Sequence, residues 1–339
     1  MNDAIPDGPG ECPPPTRREP GPPADHATDP LVCSTGLVGA SPSMRALRES
    51  IRRYAPTGAS VVILGETGTG KELVARALHE GSTRKGRPFV AANVAALGAS
   101  TLPSELFGHE RGAFTGAHAA HRGLFEQAHL GTLFLDEVGE LAPEAQASLL
   151  RVLESGEFRA VGAERTKRAD ARLVVATHRD LGAMVAQRRF RADLYFRLNT
   201  LVLRVPPLRH RIWDVRQLAP FLLERMKPEI GARTIAEDAV RALADYGWPG
   251  NVRQLANVLR RAAAEGDSAA LTARDVRESL RAEPPARREI LDGAHASFVQ
   301  DVLAAEGGSI AASSRRLGVA RSTLRAFIRR FHVVHVRTG

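Results

Sequence analysis

Val61-Val62-Ile63-Leu64-Gly65-Glu66-Thr67-Gly68-Thr69-Gly70-Lys71-Glu72 is the stretch that decides the fold. Val61 to Leu64 is a short apolar run of the kind that forms a buried strand. The glycine-spaced loop after it opens a helix from Lys71 to about His79. Strand, glycine-rich turn and helix in that order are the context a phosphate-binding loop requires. Glycines let the backbone turn so that successive N–H groups face a phosphate. The helix N-terminus adds partial positive charge, and Lys71 is placed to reach the β- and γ-phosphates of ATP. The nucleotide-binding candidates are therefore Gly65, Glu66, Thr67, Gly68, Thr69, Gly70, Lys71 and Glu72. Glu72 stands where Ser or Thr ordinarily helps to hold magnesium. It either meets the metal through water or points away.

Working outward, a second apolar run, Thr132-Leu133-Phe134-Leu135, ends in Asp136-Glu137. Carboxylates at the C-terminal end of a parallel strand sit at its ligand edge. Asp136 is placed to organise Mg2+, and Glu137 to polarise an attacking water as general base. Further strand-like runs occur at Phe89-Val90, Leu173-Val174-Val175-Ala176 and Leu201-Val202-Leu203, separated by helical stretches such as Pro143 to Glu154. Alternation of this kind predicts an α/β fold, a parallel sheet with helices on both faces. After Pro206-Pro207 the strands stop, and Val215 to Met226, Ala236 to Asp245 and Val252 to Ala264 read as helices of a small lid.

The reading divides the chain into a Pro/Gly-rich tail over 1–35, an α/β part over 36–207, a helical lid over 208–265, a linker over 266–289 and a compact helical unit over 290–339. The tail is too poor in large apolar residues to offset chain entropy, so it is expected to be disordered. Cys12 and Cys33 lie in it, too few for a metal cluster. No apolar run approaches the roughly 20 residues that span a bilayer, and no secretory signal is visible. A cytoplasmic protein without membrane association is expected. Lys and Arg outnumber Asp and Glu by 47 to 38, a net charge of +9. Such a balance favours a polyanionic partner or reflects an Arg-rich coding bias, and the location of the charge is what informs.

Glu105-Leu106-Phe107-Gly108-His109-Glu110-Arg111-Gly112-Ala113-Phe114-Thr115-Gly116-Ala117 contains the element GAFTGA. Gly112 and Gly116 allow a tight protruding loop. Phe114 and Thr115 would stand at its tip, where a bare aromatic calls for a partner. Together with the phosphate loop, this stretch resembles the sigma-54-dependent activators (bacterial enhancer-binding proteins) of the AAA+ superfamily. The resemblance covers about Leu37 to Ala264 and the C-terminal unit. It implies ATP hydrolysis that remodels the RNA polymerase carrying sigma-54, with Gly112 to Ala117 touching sigma-54. It also implies that Asn93 restrains Glu137, that Arg191 and Arg197 are arginine fingers acting across a homo-oligomer, a hexamer when active, and that Arg253, in Trp248-Pro249-Gly250-Asn251-Val252-Arg253, reads the γ-phosphate from the lid. Thr177 resembles the first sensor, but His178 follows it where members usually carry Asn. That departure leaves open a DNA-bound regulator with a vestigial ATPase. A general AAA+ remodeller is the other alternative, and GAFTGA argues against it.

From Arg287 onward nine arginines face four acids. Phe298, Val302 and Leu303 fit a first helix, Gly307-Gly308 ends it, and Ser309 can cap a second. Ile310 and Leu317 sit one heptad apart, Gly318-Val319 makes a turn, and Leu324 and Ile328 face inward from a third helix. This is helix-turn-helix spacing and resembles the Fis-type unit of the same activators. Arg321, Ser322, Thr323 and Arg325 are placed at base edges of double-stranded enhancer DNA, with Arg329 and Arg330 toward phosphates. No receiver-like domain is read ahead of the motor, so control by a regulatory partner protein, by expression level, or by no switch is expected.

Overall fold

The five apolar runs become five parallel strands: β1 (Val61–Leu64), β2 (Phe89–Asn93), β3 (Thr132–Asp136), β4 (Arg172–Thr177) and β5 (Leu201–Arg204), ordered β2-β3-β4-β1-β5. The structure is a computed structural model that describes residues 35–282 except 99 and 267, residues 299–317, and residues 321, 324, 325 and 328. Both faces of the sheet are buried, which is why these strands read as unbroken apolar runs. Side chains alternate across it. Val61, Ile63, Phe134, Val174 and Ala176 enter one core, and Val62, Leu133, Leu135, Leu173 and Val175 the other.

Two helices cover the first face. α1 (Pro42–Tyr54) is started by Ser41, whose hydroxyl accepts the Met44 N–H, with Pro42 in the first turn. α2 (Lys71–Glu80) follows the phosphate loop. They contribute Met44, Leu47, Ile51, Val74 and Leu78 to that core. The second face is covered by α3 (Pro143–Ser155) and α4 (Ala192–Leu198), through Leu149, Val152, Leu194 and Leu198. Arg172, buried at the start of β4, donates to the carbonyls of Tyr54, Ala55 and Ala59. It ties the end of α1 to the sheet.

The lid begins after β5. α5 (Val215–Ile230), α6 (Glu237–Ala244) and α7 (Asn251–Glu265) surround a core that includes Leu218, Leu223, Leu243, Leu255, Val258 and the fully buried Trp248. The lid does not end at 265. Ala270–Leu271 pairs with Thr234–Ile235, and α8 (Ala273–Arg281) places Val276 in the lid core and Ser279 on the Val258 carbonyl. A linker starting at 266 is therefore corrected: its first part is the last helix of the lid. Local chemistry gives the reason, since Thr272 accepts the Asp275 N–H while Asp275 accepts the Thr272 N–H, a reciprocal capping box. Thr272→Ala is expected to lower unfolding free energy by about 1 kcal/mol, read as a shift in the urea midpoint at constant slope. An unchanged midpoint would show that packing alone holds α8.

In the C-terminal unit, Gly307 and Gly308 take positive φ, and the Gly308 N–H closes on the Leu303 carbonyl. Ser309 Oγ then accepts the Ala312 N–H at the start of α9 (Ile310–Leu317). Val299, Leu303 and Leu324 pack together with Ile310 and Ile328. Phe298, Gly318 and Val319, like the tail over 1–34, lie outside the described residues. Among the described residues, no helix is long and apolar enough to cross a membrane.

Candidate active site

Parallel strands deliver their C-terminal ends to one edge, and the site residues converge there. The loop after β1 turns through Gly68 (φ +79°) and Gly70 (φ +100°), conformations that side chains other than glycine rarely adopt. Gly68 is also closed against the lid: a Cβ there would lie 2.4 Å from the Gly250 carbonyl oxygen. Thr69 Oγ1 braces the loop on the Glu66 carbonyl at 2.7 Å. Lys71 is buried, with Nζ donating to the Gly65 carbonyl at 3.1 Å and lying 3.3 Å from Glu137 Oε1.

β3 brings in the acidic pair. Asp136 ends the strand and accepts the Glu137 N–H at 3.0 Å. Burial pushes the Asp136 carboxyl above its ordinary range, against the opposing charge of Lys71. Glu137 takes φ +58°, a left-handed conformation that costs a non-glycine residue about 1–3 kcal/mol and marks functional turns. Burial raises its carboxyl too, but the His178 hydrogen bond and the Lys71 charge outweigh that, so it lies below its usual value. One strand end thus holds two carboxylates whose proton affinities are shifted in opposite directions.

The other sequence candidates fall in place unevenly. Thr177 is fully buried at the end of β4, its carbonyl accepting the Gly65 N–H and its hydroxyl accepting the Arg179 N–H. Arg253 places its N–H on the Gly68 carbonyl at 3.3 Å, and its charge opposes the rise at Asp136. Asn93 neighbours Asp136 in the β2–β3 register, but its side chain accepts the Ala95 N–H; Glu137 is held by Lys71 and His178. Glu72 pairs with Arg76 one turn along α2, at 2.8 Å, on the exposed side of the helix. A carboxylate at that position has a cation at i+4 for its partner. Arg191 pairs with Asp193, and Arg197 donates to the Leu153 carbonyl. Both are exposed, Arg191 just ahead of α4 and Arg197 within it, next to Phe196, which is 74% exposed.

The site is also held by Arg209, Arg211, Asp214 and Asn251, which the sequence did not single out. Glu66, in the phosphate loop, receives a two-pronged Arg209 guanidinium at 2.7 and 2.5 Å, and the Asn251 amide at 3.1 Å. Asn251 is fully buried at φ +52°. It also donates to the Thr67 carbonyl and accepts the Leu208 N–H. Burial raises the Glu66 carboxyl, and the Arg209 and Asn251 hydrogen bonds more than reverse this. Arg211 reaches the Thr69 carbonyl, while Asp214 accepts from the Ala40 and Ser41 N–H groups and the Ser41 hydroxyl. The polar run Arg209-His210-Arg211, one residue after Pro206-Pro207, was the available signal.

The GAFTGA segment forms a narrow-necked loop. His109 and His121 exchange backbone hydrogen bonds at its base, and the Gly112 N–H reaches the Ala117 carbonyl higher up. Gly112 (φ +82°) and Gly116 (φ +101°) have open space where a Cβ would be. Ala117 is buried, Thr115 is exposed, and Phe114 is 47% exposed, touching the His109 ring edge-on at 4.9 Å.

A phosphate loop at the end of a central parallel strand, an acidic pair on the next but one and a helical lid closed on both define an AAA+ P-loop NTPase. Residues 37–204 match the Sigma-54 interaction domain and residues 209–291 the AAA+ ATPase lid domain. The transcriptional regulatory protein ZraR of Klebsiella oxytoca is 43% identical over 312 residues, 89% of this chain and 70% of that one. The Nif-specific regulatory protein of Azotobacter vinelandii is 51% identical over 241 residues, 71% of this chain. The chain spans about half the length of that relative, 46% of it being matched. Among solved structures, NtrX from Brucella abortus in complex with ADP aligns with a TM-score of 0.66 at 34% identity, over 89% of this chain and 71% of that one. The chain belongs to the sigma-54-dependent activator family of AAA+ proteins.

Proposed function

We propose that this chain is an ATPase that activates transcription by remodelling the sigma-54 RNA polymerase closed complex into the open complex, held near the promoter by its C-terminal unit. The observation that carries the reading is the presence, on one chain, of the Lys71–Asp136–Glu137 convergence and an exposed GAFTGA tip. The residues at the strand ends fit magnesium-bound ATP: a buried lysine, a glycine-turned loop at a helix start, and a carboxylate whose burial calls for a cation. The ion would neutralise charge on the phosphates as their terminal bond breaks. Lys71 holds the β- and γ-phosphates, and Asp136 is the Mg2+ residue, directly or through water. Glu137 takes a proton from the attacking water. Thr177 and Arg253 sense the terminal phosphate. Arg191 and Arg197 reach the site of a neighbouring copy, where a guanidinium stabilises charge in the transition state. That requires a homo-oligomer, a hexamer when active, and the exposed position of both arginines supports it.

The tip residues Gly112 to Ala117 contact sigma-54 and move with nucleotide state. Arg321 and Arg325 are exposed and flank the buried Leu324, as a groove-facing helix would have them, and serve double-stranded DNA. Ser322, Thr323, Arg329 and Arg330 share that proposed role and lie outside the described residues. A cytoplasmic location follows from such partners. The test uses the full chain with sigma-54 holoenzyme, promoter DNA and magnesium-ATP. We expect permanganate-reactive open DNA that requires hydrolysable ATP, and phosphate release well above a Lys71→Ala control. No release above that control would leave a DNA-bound regulator without a motor. Release with no dependence of DNA opening on sigma-54 would leave a general remodeller.

A further inference from the structure

His178 follows the buried Thr177 at the end of β4, and its ring is aimed at the Glu137 carboxylate. Nδ1 lies 2.7 Å from Glu137 Oε2, and the His178 N–H lies 3.4 Å from the same oxygen. An ionised carboxylate only accepts, so the ring nitrogen is the donor. Glu137 Oε1 is meanwhile 3.3 Å from Lys71 Nζ. Both oxygens of the base are thus engaged, one by a group destined for phosphate and the other by a group with no phosphate-loop bond of its own.

We propose that His178 is a positioning residue that restrains Glu137: its imidazole holds the general base on Oε2 until the terminal phosphate and a neighbouring subunit release it. The proposal rests on reading Glu137 as the base of an ATPase. Three features of the fold carry it. The His178 backbone is immobilised on both sides. The Thr177 carbonyl accepts the Gly65 N–H, and Arg179 caps the Thr177 hydroxyl, donates to the Gly139 carbonyl and pairs with Glu140. The ring is not immobilised in the same way: its side chain is 44% exposed and borders an open cavity of 860 Å³, lined also by Tyr195, Asn199 and Arg204. It therefore has space to swing off the carboxylate. Third, Asn93, the residue expected to restrain Glu137, turns its amide oxygen to the Ala95 N–H, and among the described residues the side-chain partners of Glu137 are Lys71 and His178. A general base must present a free lone pair and enough basicity to take a proton. A hydrogen bond to its ionised form occupies one lone pair, fixes the carboxylate's orientation and lowers its basicity.

When ATP draws Lys71 to the phosphates, His178 is the remaining partner on Glu137. The ring Nδ1 and an asparagine Nδ2 are both bonded to Cγ, so His178→Asn keeps a donor at the same point of the side chain, whereas His178→Ala removes it. We expect His178→Ala to raise basal kcat for ATP hydrolysis about three- to tenfold with KM within about twofold. His178→Asn should stay close to the parent. A fall in kcat for His178→Ala, or equal rates for all three proteins, would overturn the proposal. A second readout does not depend on turnover. The ring-nitrogen resonances of His178, assigned by their loss in His178→Asn, should shift in Glu137→Ala of the nucleotide-free full chain, and indifference to that substitution would also overturn it. If the parent protein releases no phosphate above the Lys71→Ala control, the ATPase reading fails by itself, and the resonances still decide whether His178 binds Glu137.

Discussion

Glu137→Gln is expected to lower kcat for ATP hydrolysis by about 10²- to 10⁴-fold, the usual contribution of a positioned general base, while leaving affinity for magnesium-ATP equal or tighter. The substitution conserves shape, so the backbone at φ +58° and the bond from its N–H to Asp136 stay as they are. What changes is charge. In the resting site Lys71 and Glu137 are a pair with side chains 5% and 13% exposed. Neutralising one member of such a pair leaves the other buried without its counter-charge, a state costly to keep. Phosphate oxygens supply the missing negative charge to Lys71, so nucleotide binding gains what the apo protein loses. Single-turnover hydrolysis and equilibrium binding of a fluorescent ATP analogue separate the two effects. A kcat within threefold of the parent would remove Glu137 from the role of base. A loss of affinity of tenfold or more would show instead that the substitution damages the phosphate loop.

The same site shows how far the sequence could be read. β1, β3 and β4 were legible because strands buried on both faces carry unbroken apolar runs, and Gly65 to Lys71 was legible because a loop that wraps phosphate needs glycine at fixed points. The Asp136-Glu137 pair followed from its place at the end of such a run. Side-chain commitments were not legible in the same way. Asn93 and His178 both carry donors that could face Glu137, and residue type alone does not tell that His178 makes the bond while the Asn93 oxygen takes the Ala95 N–H. Glu72 is paired with Arg76 one turn along the helix, a partner that its place after Lys71 does not announce.

The lid boundary was misjudged for a different reason. The helix beyond 265 is written in a capping box and two apolar positions, a signal too short to stand out from a charged background. Its partner surface, on Val258 and the Thr234–Ile235 strand, is distant in sequence. The contacts that close the lid on the phosphate loop have the same character. Glu66, Arg209 and Asn251 span 185 positions of chain between the first and last of them, and no local period encodes that meeting. They matter for coupling, because Asn251 touches the Thr67 carbonyl, the Glu66 carboxylate and the Leu208 N–H at once. Asn251 thereby joins the phosphate loop to the chain just after Pro207 and to the start of α7.

Transmission out to the polymerase is a separate step, and it yields the second large effect. Phe114→Ala or Thr115→Ala is expected to abolish sigma-54 open-complex formation, weakening the nucleotide-dependent bond to sigma-54 by at least about tenfold, as truncating an interface anchor does. Phosphate release should stay within about twofold of the parent. The separation follows from the loop's construction. Its neck is closed by backbone bonds between His109 and His121 and between Gly112 and Ala117, which neither substitution removes. Phe114 leans only its edge on His109, and nearly half of its surface faces solvent. An aromatic left so exposed contributes little to the fold of its own chain and much to whatever covers it. The measurement pairs phosphate release with permanganate footprinting on the same preparation. Full DNA opening by Thr115→Ala and Phe114→Ala would mean that force reaches the polymerase by another surface. Loss of both activities would mean instead that the tip is needed to assemble the ring, and gel-filtration of each variant with nucleotide would show it.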